Sequence, residues 1–278
     1  MPKRFRVALV ALYATMWLGA VIGFIIFREP PAAVTWAGVL YVAASLGVAA
    51  LYSDAGGRAF LALAGILGFF SELSGMHFGI PFGHYSYTYI LGPQILGVPL
   101  TIGIAWALFA GYARWHIRWL TVGWQRVLAG ALCLVCIDLL VDPLSAGPLG
   151  FWTWHVDGAY LGVPAGNFWG WFAVGLVVFG AGQLLRLPAV DCGGRLPVGA
   201  AYVGLGNLLV YTAVALSEAM YIPAIIGAML VAAHLASTAA ERRLTQQVAG
   251  GMQAEARLRG GYAGTFSTAN AQSQPEAD

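Results

Sequence analysis

Eight apolar stretches follow one another along this chain, at about residues 7–27, 33–52, 59–76, 95–113, 124–142, 167–186, 197–216 and 220–239. Each comes close to the roughly 20 residues that a helix needs to cross about 30 Å of hydrocarbon. The remaining polar residues are too few to cover a soluble surface, since 59% of the chain is hydrophobic, 9% is charged and the mean hydropathy is +0.74. The expected fold is all-α: a polytopic transmembrane helix bundle of about eight spans, forming one domain over residues 1–240.

The basic residues set an orientation. With a cytoplasmic N-terminus, Lys3, Arg4, Arg6, Arg58, Arg114, Arg118, Arg126, Arg186, Arg195, Arg242, Arg243, Arg257 and Arg259 fall inside and only Arg28 falls outside. An even number of spans then makes the C-terminus cytoplasmic too, in the cell membrane. Six or seven spans are the alternative, with Pro223 kinking one helix where Leu216-Ser-Glu-Ala-Met-Tyr221 is otherwise a short connection. The first stretch reads as an uncleaved helix, being longer than a signal core and lacking a small-x-small site before Arg28.

Several function classes drop out. Residues 241–278, rich in Gln, Ala, Gly and Ser, read as a flexible cytoplasmic tail. The net charge of +2 is accounted for by the cytoplasmic loops and gives no case for a nucleic-acid partner. Cys133 and Cys136 have CxxC spacing but lie inside an apolar stretch without a second pair, so they read as packing residues, and Cys192 reads as a reduced thiol in a cytoplasmic loop. Phosphate loops, H-E-x-x-H and nucleotide fingerprints are absent from the sequence, so an enzyme here is expected to use no nucleotide cofactor.

One pattern occurs twice. Glu72 is followed by Gly83-His-Tyr85-Ser-Tyr87, Gly97-Val-Pro99 and Trp106; Asp142 is followed by Gly150-Phe-Trp152-Thr-Trp154, Gly162-Val-Pro164 and Trp171. The expected unit, about 59–113 and again 124–186, is a parallel duplication covering spans three to six. At about 1.5 Å per residue, Glu72 lies roughly 20 Å into its span and Asp138 roughly 21 Å into its own, with Asp142 one turn further on the same face. Leaving an ionisable group in lipid is costly, so such residues face a protein interior or wet cavity and are functional candidates by default. The plainer alternative is that they accept hydrogen bonds from loops or cap helices. The loops after them, residues 76–94 and 143–166, are rich in aromatics, which suits an interfacial belt or a roof over a pocket floored by the acids.

The strings Glu72…Gly79-Ile-Pro-Phe-Gly-His-Tyr-x-Tyr87, Leu91-Gly-Pro…Gly97-Val-Pro99, Asp138-x-x-x-Asp142-Pro143 and Trp152-x-Trp154…Gly158-x-Tyr-x-Gly-Val-Pro164-x-x-Asn167-Phe-x-Gly-Trp171 resemble the membrane carotenoid-biosynthesis proteins, over roughly residues 60 to 235. That family includes bacterial γ-carotene 1',2'-hydratases and haloarchaeal bisanhydrobacterioruberin hydratases. The resemblance implies a carotenoid 1,2-hydratase, a hydro-lyase that adds water to the terminal C1–C2 double bond of an acyclic carotenoid and leaves a tertiary alcohol. It implies no redox cofactor. Its partners would be a carotenoid drawn from the bilayer, water, membrane lipid and other carotenoid-biosynthesis enzymes.

Hydration of a trisubstituted alkene needs a proton at C2, shelter for the tertiary cation at C1, and a water aimed at that cation. An acid in apolar surroundings keeps its proton more readily than one in water, which suits a proton donor. Glu72 is the expected donor, with Asp142 and Asp138 orienting water; the reverse assignment is left open. Tyr85, Tyr87, Trp152, Trp154 and Trp171 are candidates to shelter the cation with their ring faces, and His84, Tyr160 and Asn167 to contact substrate or water. Asn167 is equally placed to cap the sixth span, Asp157 reads as a turn residue, and Glu218 lies outside the duplicated unit. His77, His84 and His155 have no convincing metal spacing, so no metal is expected. The rival readings are a proton-coupled transporter and a noncatalytic carotenoid-binding scaffold.

Overall fold

A computed structural model describes residues 2–27, 35–187 and 198–271; Arg28, Cys192 and Arg195 lie outside the described residues. Each expected apolar stretch holds a helix: α1 (Lys3–Ile22), α2 (Thr35–Leu51), α3 (Ala55–Phe78), α4 (Leu100–His116), α5 (Gly123–Ala146), α6 (Ala165–Leu184), α7 (Val198–Ser217) and α8 (Tyr221–Ala271). Among the described residues, six helical stretches are long and apolar enough to cross a membrane, namely Lys3–Ile26, Ala55–Phe78, Gly123–Ala146, Ala165–Leu184, Gly199–Ser217 and Tyr221–Gln247. Trp36–Leu51 is apolar but shorter, and α4 has 17 residues. The end of α7 at Ser217 and the start of α8 at Tyr221 make these separate helices, with Ala219 at φ 55° in the turn between them.

The chain forms two compact units, Met1–Ala232 and Ala233–Asp278. In the second, the segment expected to be a flexible tail continues α8 as far as Ala271, through Glu, Arg, Leu, Gln and Ala residues that favour helix. In the first, α3 packs chiefly on α4 and α5 on α6, while contacts of α3 with α6 and of α4 with α5 close the four together. Helices α2 and α7 pack on α4 from outside that group.

Local chemistry explains where these helices begin and end. Asp54 caps α3 by accepting a 2.5 Å hydrogen bond from the Gly57 amide, and Gly79 ends it in the left-handed region at φ 70°. Helices α4 and α6 start alike, behind Pro99 (φ −64°, ψ 137°) and Pro164 (φ −66°, ψ 140°). Ahead of each proline is the same tight turn: Leu96 and Gly97 have φ 51° and 84°, and Leu161 and Gly162 have φ 51° and 84°. Two central residues at positive φ are what a two-residue type I′ hairpin requires.

The strands depart from the sequence expectation of irregular loops. β1 (Tyr85–Tyr87) pairs antiparallel with β4 (Trp152–Trp154) in the register Tyr85↔Trp154, Ser86↔Thr153 and Tyr87↔Trp152. Main-chain bonds from His155 to His84 and from Thr88 to Phe151, both 2.9 Å, close the two ends of this ribbon in the same way. A second pair, β2 (Gln94–Ile95) with β3 (Val98–Pro99), is the hairpin that delivers the chain to α4. Strands this short carry too little alternation to be seen in sequence, and β1 finds its partner only in the other loop.

Candidate active site

The site begins with the alternation of β1 and β4. Successive strand residues point to opposite faces, so Tyr85 and Tyr87 turn inward with Trp152 and Trp154, while His84, Ser86, Thr153 and His155 are exposed. Beneath the ribbon lie the three acids. Glu72 is 6% exposed, Asp138 1% and Asp142 2%.

Glu72 is held by the strand of its own loop. Its Oε2 accepts hydrogen bonds from the hydroxyls of Tyr85 at 2.5 Å and Tyr87 at 2.8 Å, and its Oε1 accepts from the Trp106 indole N–H at 2.8 Å. Burial first, and then the neighbouring Glu72, push both phenols up from their ordinary range, so they stay protonated and donate. Close approach of these rings depends on small residues: a Cβ at Gly68, one turn before Glu72, would lie 2.1 Å from Trp106 Cγ, and one at Gly75 would lie 2.9 Å from the Tyr85 hydroxyl.

Asp142 repeats the arrangement with indoles. Its Oδ1 accepts from the N–H groups of Trp152 and Trp154, each at 3.1 Å. Asn167, in the first turn of α6 and 2% exposed, sends one amide N–H to Asp142 Oδ2 at 2.5 Å and the other to Asp138 Oδ2 at 2.6 Å. The i, i+4 spacing expected to stack the two aspartates therefore brings them onto one amide. Asp138 Oδ1 is buried and receives no hydrogen bond from any described residue.

Aromatic contacts join the two acid nests. Trp106 stacks on Trp171 with centroids 4.0 Å apart and planes 17° apart; Tyr85 lies 5.0 Å from Trp154 and Tyr87 5.9 Å from Trp152. Every one of Glu72, Asp138, Asp142, Tyr85, Tyr87, Trp152, Trp154, Asn167 and Trp171 belongs to this connected group. Trp106, which spacing marked but chemistry had not singled out, belongs to it too. Its signal was a position seven residues after Pro99, matched by Trp171 after Pro164.

His84 and Tyr160 are placed differently. His84 occupies an outward position next to Tyr85, and no hydrogen bond links its ring to the acids among the described residues. His77 and His155 are also exposed, bonding Leu73 O and Ser86 Oγ respectively. Tyr160 donates its hydroxyl at 2.8 Å to the carbonyl of Leu139, the residue four before Pro143. Proline has no N–H to offer that carbonyl, so the phenol supplies the hydrogen bond that the helix lost inside α5. Tyr160→Phe is expected to cost about 1–2 kcal/mol, read as a lower thermal midpoint of the detergent-purified protein. Asp157 and Glu218 are exposed and outside the group, and no three His, Cys, Asp or Glu side chains converge as metal ligands among the described residues.

Apolar helices around a buried nest of acids, phenols and indoles define a polytopic membrane protein whose buried acids, among the described residues, are gathered under one pair of loops. The chain belongs to the family of carotenoid biosynthesis proteins, which it matches over residues 32–234, as its motif strings led one to expect. It is also similar to a bisanhydrobacterioruberin hydratase of Haloarcula japonica, 31% identical over 140 residues, amounting to 47% of this chain and 46% of that protein. The likeness thus spans less than half of the curated relative. No solved structure matches the chain.

Proposed function

We propose that this protein is a carotenoid hydratase, adding water across the terminal C1–C2 double bond of an acyclic carotenoid end group to form a tertiary alcohol. The observation that carries the reading is the paired aspartates on one amide, set against an aromatic enclosure. Acid protonation of an alkene needs a carboxyl group, and the cation that follows is attracted to aromatic ring faces by roughly 0.5–2 kcal/mol each. Family membership and the hydratase relative support the same chemistry. Neither the proton transfer nor the water addition calls for a redox partner.

The setting we infer is an eight-span bundle in the cell membrane with both termini cytoplasmic, spans three to six arising by parallel duplication. The matching turns before α4 and α6 and the symmetric pairing of β1 with β4 support a duplication. The ribbon and its acids would then face the outer side, with the polyene entering from the lipid and other carotenoid-biosynthesis enzymes supplying it.

The test is pigment analysis. Expressed in a bacterium that accumulates an acyclic carotenoid, the protein should convert it to a product heavier by one water, resolved by chromatography and mass spectrometry. Unchanged pigment accompanied by proton-driven solute uptake would replace the hydratase with a transporter. Unchanged pigment that co-purifies with the protein would point to a carotenoid-binding scaffold.

A further inference from the structure

The three acids are not interchangeable, because their oxygens are not equally engaged. Glu72 accepts three donors, on both of its oxygens. Asp142 also accepts three, again on both. Asp138 accepts one, from Asn167 on Oδ2, and its Oδ1 is buried without a hydrogen bond from any described residue. An ionised carboxylate only accepts, whereas a carboxylic acid must place one O–H. Surrounded by phenol, indole and amide donors, Glu72 and Asp142 have their oxygens occupied as acceptors; Asp138 alone has an oxygen from which a proton can leave toward a substrate.

Resting on the hydratase reading, we infer that Asp138 is the catalytic acid and that its Oδ1 delivers the proton, with Asn167 and Asp142 positioning it. The carboxyl O–H of Asp138 transfers its proton to C2, and the alkene π pair becomes the new C–H bond. Positive charge develops at C1. A water oxygen bonds to C1, and one of its protons returns to the Asp138 carboxylate, restoring the acid and leaving the tertiary alcohol. Nothing is oxidised or reduced, and water is the only co-reactant. This departs from the sequence expectation, in which Glu72 donates and Asp142, with Asp138, orients water.

The placement of Asp138 agrees with this role. It lies one helical turn below Asp142, away from the ribbon whose four inward rings are committed to Glu72 and Asp142. Asn167 fixes Oδ2 and so presents the opposite oxygen in a defined direction. The same amide also donates to Asp142 Oδ2, so Asn167 ties Asp138 to a second carboxyl group that is itself held by two indoles.

The deciding experiment measures turnover of an acyclic carotenoid by membranes carrying wild-type protein, Asp138→Asn and Glu72→Gln, with gel filtration and co-purified polyene as checks of folding. Loss of a general acid lowers kcat by about 10²–10⁴-fold. Asp138→Asn is expected to fall in that range while still binding polyene, and Glu72→Gln to keep measurable turnover with the wild-type solvent deuterium isotope effect. An active wild type with Asp138→Asn losing less than about a hundredfold overturns the assignment and leaves the hydratase reading intact. A wild type that forms no hydrated product removes the hydratase reading itself, and the assignment with it. Should Asp138→Asn not fold, Asp138→Glu decides: kcat lowered about tenfold or more at unchanged KM supports the assignment, and wild-type kcat overturns it.

Discussion

Asn167→Leu is expected to abolish hydration and to destabilise the protein by about 3–5 kcal/mol, lowering its thermal midpoint in detergent by roughly 10 °C. Leucine occupies nearly the same volume, so the effect isolates the amide. Without it, Asp138 loses the donor on Oδ2, and Asp142 keeps only the two indoles on Oδ1. Two buried carboxyl groups one turn apart then face each other with nothing between them. Breaking a buried polar arrangement by removing one member costs more than its net worth when intact, because the groups left behind have already been desolvated. Asn167→Gln retains two N–H donors on a longer arm and should recover part of the stability and a small part of the turnover. Wild-type stability and turnover in the leucine variant would show that the bridge is dispensable.

Trp106→Leu is the second large effect. The indole stacks on Trp171 at 4.0 Å, touches Phe82, and donates to Glu72 Oε1, so one substitution removes a stacked pair, core volume and the donor to a buried acid. Large-to-small replacements of Trp in a core cost about 3–5 kcal/mol, and an orphaned acceptor adds about 1–3 kcal/mol. The protein is expected to be recovered poorly and to unfold at a clearly lower temperature. Trp106→Phe keeps much of the packing and loses the N–H, which separates the two contributions: its shortfall measures the hydrogen bond and the remainder measures the ring. A Trp106→Leu protein as stable as wild type would mean that neither contact matters.

Much of this architecture could be read from residues alone, because the strongest physical constraints on it act locally along the chain. Apolar length locates the helices, and helix periodicity places Asp138 and Asp142 on one face. Spacing after Pro99 and Pro164 pairs Trp106 with Trp171, whose rings stack. The details that escaped depend on long-range pairing. Nothing local in Tyr85-Ser-Tyr87 announces a strand, since its ladder partner is Trp152-Thr-Trp154 in a different loop. Asn167 could be read equally as a helix cap, because its side chain reaches across to another helix, and such a reach leaves no mark on its own segment. Proximity in sequence groups His84 and Tyr160 with the aromatics. Strand alternation turns the first outward, and a proline in α5 claims the second.

The ribbon of β1 and β4 makes the site an all-or-none assembly. Its side chains alternate in and out, so a slip of one residue would exchange Tyr85 and Tyr87 for His84 and Ser86 over the acids, stripping two donors from Glu72 at once. The paired strand would be disturbed in the same event. Tolerance to substitution should therefore be striped along each strand, broad at the outward Ser86 and Thr153 and narrow at the residues on either side. The placement of the acids' phenol donors and of two of their indole donors, drawn from both halves of the chain, thus comes down to the phase of a three-residue ladder.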